Sequence, residues 1–451
     1  MKALFINPPE YTFSGYHNIH TYPTDLYNWA TLYKERGHSV EMFDMYPELA
    51  NSSLITSIDG YMYYDGEKIV EDIGVLRKCG NYENEHLVRG VLKTGFPYSV
   101  LESKLQEETY DEIIVCAMGS KTGVSSTSWI YVFMGAYEVI NRCKQYQPNA
   151  KVVLMGEYTK ICPSVASSSL ADVVSTDPAP TRHFINTDVS LFEKEVPNRI
   201  NIATSYGCSN CCAFCFIPKC EWSFRTEKPV QDVIDYMESI INQGYTRFRF
   251  LDSNLLANWD THLKLILDEI VSKGWNVSLT SYGGVEPAEL TDDKAELMVQ
   301  AGFREINVPL DNSDPEVLEL WGSIKTVEAW EAAVDIAKKY FDTVYSYVMI
   351  GYPGQTYTNL TNSIDMCDAK GAVPSLLPYT PMPGTIYEDN TKNPEALHPL
   401  LFPYASPELT VAQLENILEE RSPWYKKSTI TPSDIVHTKR IYTSSPAIPI
   451  N

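Results

Sequence analysis

The chain has 451 residues, of which 44% are hydrophobic and 21% charged, enough for two sizeable cores at about 100 to 200 residues per domain. No apolar run approaches the roughly 20 residues that cross a bilayer, which excludes a membrane-spanning protein. A formal net charge of -22 repels a phosphate backbone, which disfavours nucleic acid and leaves a small molecule or a peptide as the expected substrate.

The opening Met1-Lys-Ala-Leu-Phe-Ile-Asn7-Pro8-Pro9 reads as a short strand stopped by Pro8. It has neither a long apolar signal region nor a small-residue cleavage site, and a cytoplasmic location is expected. A helix-like stretch follows over Leu26 to Arg36, closed by Gly37, and then a strand over Ser39 to Asp44. The alternation returns with a strand over Glu112 to Ala117, a helix over Tyr131 to Tyr146 and a strand over Lys151 to Met155. Strands alternating with helices predict a parallel, doubly wound sheet, so residues 1–190 are expected to form an α/β Rossmann-like domain. Residues 51–110 interrupt it as an insertion expected to cover one edge of the sheet. A hairpin is predicted there around Asp65-Gly66, and a short helix over Val100 to Glu107. Residues 176–198, with Asp177-Pro-Ala-Pro, suit an interdomain linker.

Six strands are predicted in residues 195–390: Asn201 to Ser205, Arg247 to Asp252, Val277 to Thr280, Glu305 to Leu310, Thr343 to Ile350 and Pro374 to Leu377. All but the last precede a helical segment; the first helix opens at Pro229 with an apolar stripe at Val230, Val233, Ile234, Met237, Ile240 and Ile241. This is most of a β/α barrel, a partial (β/α)6 barrel in which ligands sit at the carboxyl ends of the strands. From about Thr391 the pattern dissolves into a Pro-rich tail, residues 391–451.

Of ten cysteines, Cys208, Cys211, Cys212, Cys215 and Cys220 crowd the loop after the first barrel strand. Cys79, Cys116, Cys143, Cys162 and Cys367 are scattered and read as buried hydrophobes. Within the crowd, Cys208-Ser-Asn-Cys-Cys212-Ala-Phe214-Cys215 has the spacing CxxxCxxC. Three close thiolates can each hold one iron of a cubane cluster and leave the fourth iron without a protein ligand. A zinc knot would need a second, distant CxxC or HxxxH pair, and none is present. Cys211 and Cys220 fall outside the spacing and read as spectators.

In this spacing, in the aromatic Phe214 before the last cysteine, and in its place after the first barrel strand, the loop resembles that of the radical S-adenosylmethionine (SAM) superfamily. The resemblance implies that the open iron chelates SAM and that a reduced [4Fe–4S] cluster breaks a C–S bond to give a 5′-deoxyadenosyl radical. It also implies an electron donor such as flavodoxin or ferredoxin. By the same resemblance Phe214, Asp252, Asp311, Gly351 and Pro353, all in the cysteine loop or at barrel-strand ends, are expected to contact SAM. No acid or base is implied, since the cofactor radical removes the hydrogen. Arg225, alone after the cysteine loop, reads first as a salt-bridge residue.

Pro381-Met-Pro-Gly-Thr385, together with Asn7-Pro8-Pro9, Tyr22-Pro23-Thr24, Glu35-Arg-Gly-His-Ser-Val40 and Lys151-Val-Val-Leu-Met-Gly156, resembles members that carry a cobalamin-binding domain before the barrel. Asn7, Pro8, Tyr22, Pro23, Gly156 and Glu157 are then expected to line a cobalamin. Glu157 stands where the family usually has a second glycine, and the Asp-x-His-x-x-Gly lower-ligand motif is absent. Two activities therefore stay open: cobalamin-dependent methylation of an unactivated carbon, and a radical dehydration, rearrangement or carbon–carbon coupling over a domain that no longer binds cobalamin. Methylthiolation of tRNA is set aside, because neither an N-terminal cysteine pattern for a second cluster nor a basic C-terminal domain is present.

Overall fold

A computed structural model describes residues 1–13, 24–45, 96, 98–117, 129–156, 159, 163–175, 185–192, 199–215, 217, 224–281, 283–379, 385 and 408–421, together with strand segments between residues 55 and 94. The first sheet has five parallel strands in the spatial order Val173–Val174, Lys151–Met155, Glu112–Cys116, Lys2–Asn7, Ser39–Asp44. In chain order this is the 2-1-3-4-5 winding of flavodoxin-like folds, whose direction of winding reverses between the strands Lys2–Asn7 and Glu112–Cys116. Both faces of Glu112–Cys116 are buried, as a central parallel strand requires. Helices Thr24–Glu35 and Trp129–Tyr146 flank the sheet, with Leu26 and Ala30 of the first, and Ala136, Val139 and Ile140 of the second, buried.

The predicted hairpin is present as Tyr61–Tyr64 paired antiparallel with Glu67–Lys68. Beyond it the insertion departs from expectation. Val70–Cys79 and His86–Thr94 pair as long antiparallel strands, and Glu10–Phe13 joins them in a separate three-stranded sheet. Their mix of charged and apolar residues lacks a clean period of two, which is why neither strand was expected.

The six expected barrel strands are Ile200–Ile202, Arg247–Phe250, Ser278–Ser281, Glu305–Asn307, Thr343–Ile350 and Val373–Pro378. They run parallel in two groups of three. The groups meet at a parallel bridge between Leu279 and Phe303. Gly302 makes that junction possible: its φ is +117°, and a Cβ there would lie 2.3 Å from the Val277 carbonyl oxygen. The strands alternate as the pleat demands, with Phe248 and Phe250 fully buried and Phe250 stacked on Phe303 at 5.8 Å. Outside them, the helix Val230–Ile241 buries Val233, Ile234, Met237 and Ile240, the stripe read from its 3.6-residue period.

Two further findings add detail. Residues 185–192, inside the expected interdomain linker, are packed: Val189 and Leu191 are buried, Thr187 Oγ1 donates to Asn28 Oδ1 at 2.6 Å, and Tyr236 Oη donates to the Thr187 carbonyl at 3.1 Å. Asn201 of the first barrel strand also donates to Thr24 Oγ1, 2.9 Å away. In the region expected as tail, Val411–Arg421 is a helix with Val411, Leu414, Ile417 and Leu418 buried. Thr410 and Gln413 cap it reciprocally, a local signal that the Pro-rich surroundings masked. No described helix is long and apolar enough to cross a membrane.

Candidate functional site

The first barrel strand continues into Ser205–Tyr206, which pairs antiparallel with Thr226–Glu227. The pairing brings the described residues of the cysteine loop, 207–215 and 224–225, to the carboxyl end of the strand. Gly207 turns it with φ +76°. Within it Cys208 and Cys215 are half-buried, Cys212 is buried and Cys211 is exposed; Cys220 lies outside the described residues. A turn from the Cys212 carbonyl to the Cys215 N–H, 3.1 Å, brings the last two cysteines together.

Burial pushes all three thiols up, Cys215 to about 12, and each feels its neighbours: Cys208 raises Cys212, and both raise Cys215. All three thiols belong to one short described segment after the first barrel strand, residues 208–215. Among the described residues no three Cys, His, Asp or Glu side chains close around a single ion. Three cysteines spaced CxxxCxxC in one loop, the last two joined by a turn, are a donor set that fits a multi-iron cluster.

Phe214 is anchored from outside the loop. Its ring meets Trp321 edge-on at 5.3 Å, Trp321 meets Tyr352 at 4.3 Å, and the Ala213 N–H donates to the Trp321 carbonyl at 2.7 Å. Asn312 Nδ2 donates to the Tyr352 hydroxyl at 2.9 Å, which ties the ends of the fourth and fifth strands to the loop.

Asp252 was expected at the barrel mouth, but its carboxylate is 1% exposed and turned back toward the first strand. It accepts from Thr204 Oγ1 at 2.7 Å, from the Thr204 N–H at 3.3 Å and from Ser205 Oγ. His262 Nε2 lies 3.1 Å from the same Thr204 hydroxyl. Asp252 therefore braces the base of the cysteine loop.

Asp311 takes the left-handed conformation at φ +60° and bridges to Val348. Its Oδ2 lies 2.8 Å from Lys325 Nζ, and the two side chains are 8% and 10% exposed. Gly351, at φ +78°, donates its N–H to Gln355 Oε1 at 2.7 Å, and Gln355 Nε2 donates to the Met349 carbonyl at 3.0 Å. This closed turn carries half-buried Pro353. Arg225 forms its salt bridge with Glu227 at 2.8 Å and donates to the Asn254 carbonyl.

Lys325, Trp321 and Glu286 escaped the sequence reading. Glu286 follows Gly283-Gly284, where a Cβ would lie 2.1 Å from the Asp252 carbonyl oxygen at the first glycine and 2.9 Å from the Pro309 ring at the second. The pair lets the loop after the third strand cross the mouth. Glu286 is buried, its Oε2 accepts from Asn210 of the cysteine loop at 3.3 Å, and its buried Oε1 has no hydrogen-bond partner among the described residues. Burial holds its carboxyl above the usual range. The Gly-Gly step was the available signal; Lys325 and Trp321 left none, because their partners are distant in sequence.

At the carboxyl edge of the five-stranded sheet, Asn7 donates to Asp44 Oδ1 at 2.6 Å, and Pro8 is buried beside it. Gly156 has φ +121°, and a Cβ would lie 2.3 Å from the Ala117 carbonyl oxygen. Its first need for glycine is thus close packing between neighbouring strand ends. Tyr22, Pro23 and Glu157 lie outside the described residues. A cleft of about 410 Å³ along the seam, lined by Lys34, Thr187 and Tyr236 among others, shares no residue with the cysteine loop.

The Radical SAM superfamily profile matches residues 202–367. Among curated relatives, the tRNA-2-methylthio-N(6)-dimethylallyladenosine synthase of Fusobacterium nucleatum is 25% identical over 194 residues, 39% of this chain and 44% of that protein. The Thermotoga petrophila enzyme of the same name is 23% identical over 44% of this chain and 47% of its own length. The chain spans about half the length of these relatives. Among solved structures, the radical SAM methyltransferase TsrM from Kitasatospora setae superimposes with a TM-score of 0.56 at 17% identity, covering 86% of this chain and 75% of that one. The cobalamin-dependent radical SAM enzyme OxsB gives 0.52 at 11% identity over 81% and 51%. The two-part architecture, sheet and barrel together, is therefore the shared fold.

Proposed function

We propose that this chain, a radical SAM enzyme by its residues 202–367, is a cobalamin-dependent C-methyltransferase acting on an unactivated carbon of a peptide or small molecule. Such enzymes work with a [4Fe–4S] cluster, SAM, a reductant and a substrate. When bound, the cluster and SAM supply radical chemistry and the corrin supplies the methyl group. Cys208, Cys212 and Cys215 would hold the cluster, because they are the CxxxCxxC thiols of the loop after the first barrel strand, the last two joined by a turn. Asp252 fixes the base of their loop through Thr204 and Ser205, and Phe214 and Ala213 fix its tip on Trp321. The turn Gly351–Gln355 at the end of the fifth strand, closed by the Gly351 N–H to Gln355 Oε1 bond, would lie against SAM.

The single observation that carries the cobalamin half is the winding of the first sheet. Its direction reverses between Lys2–Asn7 and Glu112–Cys116, and ligands of such sheets lie over the carboxyl ends of the strands at that crevice. Asn7 and Ala117 flank it, and Gly156 packs against Ala117. Thr24, which opens the next helix, is hydrogen-bonded to the first barrel strand, so the crevice and the cysteine loop belong to adjoining elements. TsrM and OxsB, which share the architecture, are described as bound to cobalamin.

Anaerobic reconstitution with iron, sulfide and hydroxocobalamin, followed by desalting, tests the reading. The expected result is about four irons and one cobalt per chain, with iron lost in Cys212→Ala. Iron without cobalt would remove the methyltransferase half and leave a radical SAM enzyme of dehydration or rearrangement chemistry.

A further inference from the structure

We infer that Lys325, set against the cysteine loop and tethered by Asp311, raises the reduction potential of the cluster by placing a buried positive charge beside it. The inference rests on the assignment of Cys208, Cys212 and Cys215 as cluster ligands. Residues 321–325 lie directly against the loop: the Trp321 carbonyl accepts from the Ala213 N–H at 2.7 Å, and a Cβ on Gly322 would stand 3.8 Å from the Ala213 Cβ. From there Lys325 turns inward to meet Asp311 at 2.8 Å, with only 10% of its side chain exposed. Its ammonium acts on all three thiols, Cys208, Cys212 and Cys215. The 2.8 Å ion pair with Asp311 keeps the ammonium charged in this buried setting.

An ion pair buried merely for stability is a poor design, since an apolar pair of the same volume does as well or better. Asp311 also holds a left-handed backbone, φ +60°, a conformation that costs energy in a residue with a Cβ. That investment is explained by what the pair faces. A cubane core of charge two plus on three thiolates carries one net negative charge, and one electron from a donor protein doubles it. Inside a low-dielectric wall the added charge is costly unless a cation stands near. Lys325 stabilises the reduced form more than the oxidised form, and Asp311 tempers the effect. Surface charges cannot replace it, because water screens them.

The test is spectroelectrochemical titration of the anaerobically reconstituted, SAM-free enzyme, with iron content measured on each sample. Lys325→Met is expected to shift the midpoint potential to more negative values. Asp311→Asn, which removes the opposing charge, is expected to shift it to more positive values, and Lys325→Arg to leave it near wild type. Shifts of opposite sign from the two halves of one ion pair are not produced by simple loosening of the site. If Lys325→Met does not retain iron, Lys325→Gln takes its place, and an unchanged or more positive potential in the iron-replete variant overturns the inference. An unchanged or more negative potential in iron-replete Asp311→Asn overturns the inference. Absence of iron in the wild-type protein would instead overturn the cluster assignment on which it rests.

Discussion

At the mouth of the barrel the shaping groups are side chains, polar or charged, buried and paired: Asp252 with Thr204 and Ser205, Asp311 with Lys325, Asn312 with Tyr352. At the carboxyl edge of the five-stranded sheet the shaping is done largely by backbone, through Pro8, the glycine of Gly156 against the Ala117 carbonyl, and Gly135 against the Pro9 carbonyl. The contrast is one of reversibility. A side-chain network can be edited one partner at a time, with costs of about 1–3 kcal/mol for each orphaned group. A backbone approach of 2.1 Å to a phantom Cβ admits no intermediate edit.

The sharpest way to break this comparison is Gly156→Val. The added side chain has no room against Ala117 and a strained φ besides, so cobalt binding is expected to vanish while iron is retained; cobalt-to-iron ratios on the reconstituted variant check it, and an unchanged ratio would put the edge on a par with the mouth. Next in size is Trp330→Ala. Trp330 is fully buried and its indole donates to Ser346 Oγ at 2.9 Å and the Val308 carbonyl at 3.2 Å, beneath the fourth and fifth strands. Truncation should cost about 3–5 kcal/mol in denaturant unfolding, without a change in the spacing of the cysteines.

The smallest effect concerns Lys228, which follows the strand pair that closes the cysteine loop and donates to Asn186. Burial depresses its pKa from 10.5 to about 8. The unfolded chain therefore binds this proton more tightly than the folded one between those values. Its contribution to stability rises with pH from about 8 to 10.5. Lys228→Met should flatten the rise in a pH series of thermal melts, and an undiminished slope would assign it to another group.

Legibility in the sequence followed the range of the interaction. Strand and helix periods are local, and the six barrel strands were read within a few residues of their observed limits. The cysteine spacing is local too, and so is the glycine demand at Gly351. Asp252 was placed at the right strand end but its partners could not be read, because only the fold brings Thr204 and Ser205 to it. Lys325 could not be read at all: its meaning lies in Asp311 and in a cysteine loop more than a hundred residues earlier. The strands Val70–Cys79 and His86–Thr94 were missed for a different reason, their side chains obeying no period that distinguishes strand from loop.

The short antiparallel closure of Ser205–Tyr206 on Thr226–Glu227 has a thermodynamic consequence for metal uptake. Bringing the ends of a flexible loop together costs entropy that grows with its length, and in a small metal domain the metal itself must meet that cost, so that the apo chain is unfolded. Here folding of the barrel has already met it. Stripping the iron with a chelator should leave the barrel standing, so that reloading asks only for a local rearrangement of thiols.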